Sequence, residues 1–117
     1  MFESADFETL FSEFRTQKVL IIGDVMIDTY LWGNVGRVSP EAPVPIVSGV
    51  IEENRLGGAA NVALNVKAMG AVPILCSVIG EDFRGKLFLD LMEEQYLSDV
   101  GLVVDENRVT TQKTRII

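Results

Sequence analysis

The sequence contains no histidine among its 117 residues, and this absence excludes several classes of catalytic site. Serine–histidine–aspartate triads, cysteine–histidine pairs and most zinc centres need an imidazole as base or ligand. The chain also has a single cysteine, Cys76, which excludes a disulfide within the chain. Any chemistry must therefore rest on carboxylates, main-chain amides, cations or a bound metal ion.

Basic residues and long apolar runs are scarce as well. Ten lysines and arginines stand against 17 acidic residues, which gives a formal net charge of −7. This balance disfavours a nucleic-acid partner bound through a broad basic surface, although one pocket can still be locally positive. No apolar run reaches the length that crosses a bilayer, and the N-terminus lacks the pattern of a signal peptide. We therefore expect a cytoplasmic protein with neither a membrane nor a nucleic-acid partner.

The apolar residues that are present, 48% of the chain, follow an alternating order of strands and helices. Continuous runs in "KVLIIGD", "AVPILCSVIG" and "DVGLVVDEN" predict three strands, the last as a third central strand of a parallel sheet. Helical spacing predicts helices over 6–16, 59–69 and 81–96. This order is that of an α/β fold with a mainly parallel sheet flanked by helices.

Each predicted helix has a recognisable boundary or face. Asp6 is the predicted N-cap of the first helix, whose apolar face is expected to pack on the domain that follows. Gly70 stands where a glycine ends the second helix. The third helix is predicted to bury one face, made of Phe83, Leu87, Phe88, Leu91 and Met92.

The connection over residues 29–56 is far longer than an ordinary strand-to-helix loop. It contains strand signals of its own in "TYLWG" and "IVSGVIEEN", and the chain closes on the β-branched "TTQKTRII". We expect segments 29–54 and 109–117 to form a small β lid beside the main sheet, covering whatever binds at its strand ends.

The stretch "GGAANVALNVKAMG" places Gly57 and Gly58 directly before a helix. Paired glycines indicate either a close approach by a polar ligand at the helix N-terminus or a turn whose small residues pack tightly. Neither common nucleotide loop is present: Gly85-Lys86 is followed by Leu87, and the first strand ends in "GDVMID" with no glycine fingerprint.

Two aspartates follow the first strand, where open α/β sheets bind ligands. If the chain stays extended, Asp24 and Asp28 share one face and can accept hydrogen bonds from vicinal hydroxyls of a sugar. The alternative is that each aspartate caps a turn.

Three cations form a second candidate group. Lys113 and Arg115 alternate on the last strand and point the same way, and Arg37 lies in the turn-rich insertion. A phosphate is one explanation for such a like-charged pair. Solvated charges that protect an edge strand from aggregation are the other.

The segment from "GGAANVALNVKAMG" to Gly80 resembles the N-terminal signature of the ribokinase/PfkB sugar-kinase family. The stretch "GDVMIDTYLWGNVGRVSPEAPVP" is similar to the kinase domain of bacterial D-glycero-β-D-manno-heptose-7-phosphate kinases. The resemblance covers residues 17–117, with residues 1–16 as an N-terminal helix before it. It implies a three-layer α/β/α fold with a β lid, incomplete at its C-terminus.

The resemblance also implies roles for residues. Gly57, Gly58 and Asn61 would contact the sugar, Asp28 would be the family's sugar-binding aspartate, and a side chain at either glycine would occupy the ligand's space. Asp24 is added as a sugar contact and Arg37, Lys113 and Arg115 as phosphate contacts on physical grounds alone.

The family's catalytic Gly-Ala-Gly-Asp segment has no match here, so the resemblance places the catalytic aspartate beyond Ile117. We therefore expect an inactive N-terminal portion of a kinase that uses ATP and Mg²⁺, with neither bound by this portion itself. A phosphorylated sugar, a homodimer formed through the lid and a fused or separate adenylyltransferase are the implied partners. The alternative is a non-catalytic sugar-binding or dimerisation module.

Overall fold

A computed structural model describes residues 3–117, except for the side chains of Arg37 and Val47. The elements in this part of the chain are α1 (Ser4–Phe14), β1 (Lys18–Ile22), β2 (Val25–Val38), β3 (Pro45–Gly58), α2 (Ala59–Ala68), β4 (Val72–Gly80), α3 (Phe83–Glu94), β5 (Leu102–Asp105) and β6 (Gln112–Ile116). The strands form two sheets, with the orders β1-β4-β5 and β3-β2-β6. None of the described helices is long and apolar enough to cross a membrane.

The first sheet is parallel throughout, as the sequence predicts. One of its faces packs on α2 and α3, where Ile21 and Leu75 of the sheet join Ala63 and Phe88 of the helices in one core cluster. The opposite face is open in the described chain and exposes Leu20, Ile22 and Val103. β4 lies at the centre and β5 at an edge, so the prediction that β5 is a central strand is wrong for this chain.

The helices α2 and α3 lie close to their predicted bounds. Gly70 directly follows Met69, the C-cap of α2. Its φ of 101° is a conformation that favours glycine. In α3, Phe88 and Met92 are fully buried, but Phe83 is 82% exposed. The prediction that Phe83 is buried is wrong. Asp82 is the N-cap of α3, so Phe83 is the first residue of the helix.

The first helix differs more from its prediction. Its N-cap is Glu3, and Asp6 instead accepts a 2.9 Å hydrogen bond from the Glu3 N–H within a capping box. No residue of α1 is buried, and Phe7 and Phe11 are nearly half exposed, so the prediction that this helix packs on the following domain is wrong for the described residues. Residues 1 and 2 of the predicted segment 1–16 lie outside the described part of the chain.

The second sheet is built on a long antiparallel hairpin of β2 and β3, with β6 parallel to β2. Both hairpin strands have 14 residues and extend beyond their predicted bounds. Near the base of the hairpin, Val25, Ile27 and Leu56 join the core cluster of the first sheet. One face of the second sheet therefore covers the core, and the other face, called here the open face, does not.

A carboxylate at the N-terminus of α3 anchors the segment that leads into β6. Asp82 accepts hydrogen bonds from the Gly85 N–H (2.7 Å), the Thr110 N–H (2.9 Å) and the Thr110 hydroxyl (2.7 Å). The Thr110 hydroxyl in turn accepts from the Gly80 N–H at 2.9 Å. Two residues later, the Gln112 side chain donates to the Thr29 hydroxyl at 2.7 Å. These bonds fix β6 beside β2.

Replacing Asp82 by alanine is expected to lower the free energy of unfolding by about 1–3 kcal/mol, because one helix cap and the Thr110 contacts are lost together. The main-chain and hydroxyl hydrogen bonds from Thr110 lower the pKa of Asp82. A lowered folded-state pKa means that this stabilisation is complete above the ordinary aspartate pKa and is lost as the pH falls through the folded value. Urea unfolding at pH 7 and pH 2.5 measures it.

The matched control is Asp90→Ala, which removes an exposed carboxylate from the same helix. Its stability should change little at either pH. A loss for Asp82→Ala that is equal at pH 7 and pH 2.5 would contradict the role given to the ionised carboxylate.

Candidate functional site

Strand alternation sorts the side chains of β2 onto two faces. Ile27 and Thr29 are buried on the core side, whereas Asp28 and Tyr30 are half-buried on the open face. Thr29 satisfies its hydroxyl there by donating to the Asn54 side chain at 2.6 Å. Asp28 is thus held on a rigid strand, with its carboxylate directed away from the core.

Cross-strand register sets the neighbours of Asp28. Arg55 of β3 lies beside it on one side, and Lys113 of β6 lies beside it on the other. Arg115 follows two residues after Lys113 and shares its face, as the sequence predicts. The open face therefore carries a carboxylate flanked by cations, which suits a ligand that has both hydroxyls and an anionic group.

Gly57 lies directly against the Asp28 carboxylate. A Cβ built at position 57 would be 2.5 Å from Oδ2 and 2.9 Å from Oδ1 of Asp28, closer than real side-chain contacts allow. A larger residue at position 57 would therefore displace the Asp28 carboxylate from its present position, a constraint that the resemblance does not include. Asp28 and Gly57, two of the four residues that the resemblance assigns to the sugar, are thus in contact with each other.

Gly58 has a different reason. Its φ is 61°, and a Cβ there would be 2.5 Å from the carbonyl oxygen of Asp24, so the protein's own main chain already excludes a side chain at this position. The same carbonyl accepts the Ala59 N–H at 2.8 Å and ties the β1–β2 connection to the start of α2. The Asp24 residue itself is exposed, and its role as a sugar contact stays a prediction.

The two remaining predicted residues, Asn61 and Arg37, lie on α2 and towards the far end of β2. Asn61, in the first turn of α2, is exposed and lines a cavity of about 310 Å³ that it shares with Arg55 and Leu56, between β3, α2 and α3. Arg37 is on β2, nine residues beyond Asp28, which is about 30 Å along an extended strand. The structure does not bring Arg37 into the cluster around Asp28, and its side chain lies outside the described part of the chain.

Sequence reasoning missed four side chains on the open face. Arg55 donates from Nε to Glu53 at 2.6 Å, and its guanidinium carbon lies 4.7 Å from the ring centroid of Tyr30. Tyr30 stacks on Trp32 with centroids 5.8 Å apart and planes at 17°. This one hydrogen bond, donated by Arg55 and accepted by Glu53, lowers the pKa of Glu53 and raises the pKa of Arg55. Alternation along "EENRL" was the available signal, but it does not identify the partner strand.

Asp28 has no ion-pair partner among the described side chains, although two cations flank it in register. Its carboxylate oxygens are therefore free to accept hydrogen bonds from a ligand. Residues 3–117 contain no group of three or more acidic or cysteine side chains placed to hold a metal ion.

Residues 16–117 match the profile of the family described as pfkB family carbohydrate kinase. The chain is similar to bifunctional protein HldE of Helicobacter acinonychis (strain Sheeba), with 48% identity over 101 residues that cover 86% of this chain and 22% of that protein. It is also similar to bifunctional protein HldE of Geobacter sulfurreducens, with 42% identity over 115 residues, or 98% of this chain and 24% of that protein. The chain thus spans about a quarter of the length of these curated relatives.

The solved structures show the same fold. A putative ribokinase from Agrobacterium tumefaciens superposes with a TM-score of 0.66 at 24% identity, covering 86% of this chain and 32% of that chain. Fructokinase with bound ATP from Xylella fastidiosa superposes with a TM-score of 0.65 at 22% identity, covering 86% of this chain and 29% of that chain. The fold is ribokinase-like, as predicted, and the family profile spans most of the residues. The chain belongs to the pfkB family of carbohydrate kinases.

Proposed function

We propose that the whole protein carrying this chain is an ATP-dependent sugar kinase that phosphorylates heptose 7-phosphate at its C1 hydroxyl, and that this chain provides the sugar-binding face. The observation that supports the proposal most directly is the unpaired Asp28 carboxylate, packed on Gly57 and flanked by Lys113. The similarity to HldE proteins supports the choice of a heptose phosphate.

The proposed work of these residues is orientation. An ionised Asp28 accepts hydrogen bonds from two neighbouring hydroxyls, while Lys113 and Arg115 attract the substrate phosphate along the same face. Asn61 and Gly57 supply further contacts at the base of the lid, with Gly58 and Asp24 shaping the turn beneath them. Holding the sugar in one pose lowers the entropic part of the barrier to phosphoryl transfer. ATP with Mg²⁺ supplies the phosphoryl group in the whole protein.

The wider proposals follow from the resemblance. We propose that the second sheet, over segments 29–54 and 109–117, acts as a lid and as the contact between two copies in a homodimer. We also propose that the product enters ADP-heptose and lipopolysaccharide precursor synthesis through a fused or separate adenylyltransferase in the cytoplasm. The relatives are named bifunctional protein HldE, and that name is consistent with a second activity.

The test is incubation of the whole protein with ATP, Mg²⁺ and heptose 7-phosphate, followed by ³¹P NMR. We expect a new anomeric phosphate signal that requires ATP, and turnover of unphosphorylated heptose lower by at least about tenfold, because charge-assisted contacts to the phosphate are absent. Fructose 6-phosphate and ribose are the specificity controls. Sugar binding without any turnover would favour the non-catalytic module instead.

A further inference from the structure

We propose that Glu53 is a positioning residue that holds Arg55 over Tyr30 and thereby keeps the Asp28 carboxylate open to sugar hydroxyls. The proposal rests on the proposed function, because it concerns the same carboxylate. It assigns to Glu53 no contact with the substrate.

The starting observation is a missing ion pair. Asp28 and Arg55 are directly opposite each other on antiparallel strands, a position where opposite charges ordinarily attract. Instead, the Asp28 carboxylate lies against Gly57, and the Arg55 guanidinium lies over Tyr30. Gly57 and Tyr30 are on opposite sides of this pair along the sheet, so the two charged groups lean away from each other.

Two contacts hold Arg55 in this direction. Its Nε donates to Glu53 Oε1 at 2.6 Å, and its guanidinium carbon is 4.7 Å from the Tyr30 ring centroid. Tyr30 is supported from behind by Trp32, whose ring is nearly parallel to it. Among the described residues, Glu53 is the acid that forms an ion pair with Arg55. It therefore supplies the negative charge that helps to hold the guanidinium over Tyr30.

Loss of the Glu53 charge would redirect Arg55. With the Tyr30 contact alone remaining, the opposite charge in register with Arg55 is Asp28. A guanidinium can occupy both oxygens of a carboxylate at once, which would compete with the sugar hydroxyls for the same acceptors. Only the fraction of molecules with an unpaired Asp28 would then bind the sugar, and the apparent affinity would fall by that fraction.

The experiment is a double-mutant cycle in the whole protein, read out as KM and kcat for heptose 7-phosphate and as calorimetric affinity without nucleotide. Glu53→Gln is expected to raise KM by about threefold to sixfold, the range expected for an exposed ion pair that forms in place of the ligand contacts, with kcat nearly unchanged. In the R55Q background, E53Q should have no further effect on KM. A structural role for Glu53 would not depend on Arg55 in this way.

Glu52→Gln is the matched control, since it removes the same charge from the adjacent residue on the other face of β3. An E53Q effect that is equal with and without Arg55, or equal to that of E52Q, would overturn the proposal. Asp28→Asn separates the two levels of inference. If D28N raises KM strongly and E53Q does nothing, the role of Glu53 alone is wrong; if D28N also leaves KM unchanged, the proposed sugar site is wrong.

Discussion

Substitution of Asp28 by alanine in the whole protein is expected to lower kcat/KM for the sugar phosphate by at least about 100-fold. Two hydrogen bonds from hydroxyls to one ionised carboxylate are lost, and each is worth about 1.5–3 kcal/mol. The fold should survive, because Asp28 is half-buried and makes no ion pair among the described side chains. Steady-state kinetics with varied sugar phosphate, together with thermal unfolding of both proteins, measures the effect.

Gly57→Ala provides an independent check on the same geometry. The added Cβ would lie 2.5 Å from Asp28 Oδ2, so the carboxylate must move, and kcat/KM should fall even though the acid is retained. Asp90→Ala, on the exposed side of α3, is the control for loss of a negative charge. Kinetics unchanged by Asp28→Ala would remove the central support for the proposed sugar site.

The second large effect concerns the 117-residue chain by itself. We expect its ATP-dependent turnover of any sugar phosphate to be lower than that of the whole protein by at least about 10⁴-fold, because a general base and an anion-stabilising site both contribute at that scale. Neither the family's Gly-Ala-Gly-Asp segment nor a metal-binding group is found among residues 3–117. A coupled assay with both proteins at equal concentration measures the difference.

The uncovered face of the first sheet gives this prediction a structural readout. Parallel sheets are ordinarily buried on both faces, yet Leu20 and Ile22 are 60% and 76% exposed here. The isolated chain should therefore bind a hydrophobic dye more strongly than the whole protein. Measurable turnover by the 117 residues would show that the catalytic groups lie within them, and the division of labour proposed above would then be wrong.

Much of the α/β body is predictable from local patterns. Continuous apolar runs predict β1 and β4, and periodic ones predict α2 and α3 to within about two residues, because the apolar run of a parallel strand and the apolar stripe of a helix are both visible in the local sequence. The wrong predictions concern which apolar side chains are buried, because burial depends on the element that packs against them. Phe83 follows the helical period and is nevertheless exposed, since it begins its helix, and the apolar face of α1 has no buried residue.

The candidate site also has features that the sequence predicts and features that only the structure shows. The residue types and their spacing alone predict two acids on one face at Asp24 and Asp28, paired glycines before a helix and two cations on one strand face, whereas the resemblance singles out Asp28. Only the tertiary structure shows that Gly57 lies against the Asp28 carboxylate, and that Arg37 lies far from Asp28 along β2. Those facts depend on which strands pair and in which register, and register is set by contacts between residues distant along the chain.

By itself, therefore, the sequence determined an α/β domain without histidine chemistry, because local periodicity and composition carry that information. The resemblance of its motifs to the sugar-kinase family, which the family profile matches, came from residue patterns and needed no structure. The tertiary structure alone decided how the charges on the open face are paired. Arg55 is opposite Asp28 but bonded to Glu53, and no local pattern distinguishes these partners, since both are within reach of one flexible side chain.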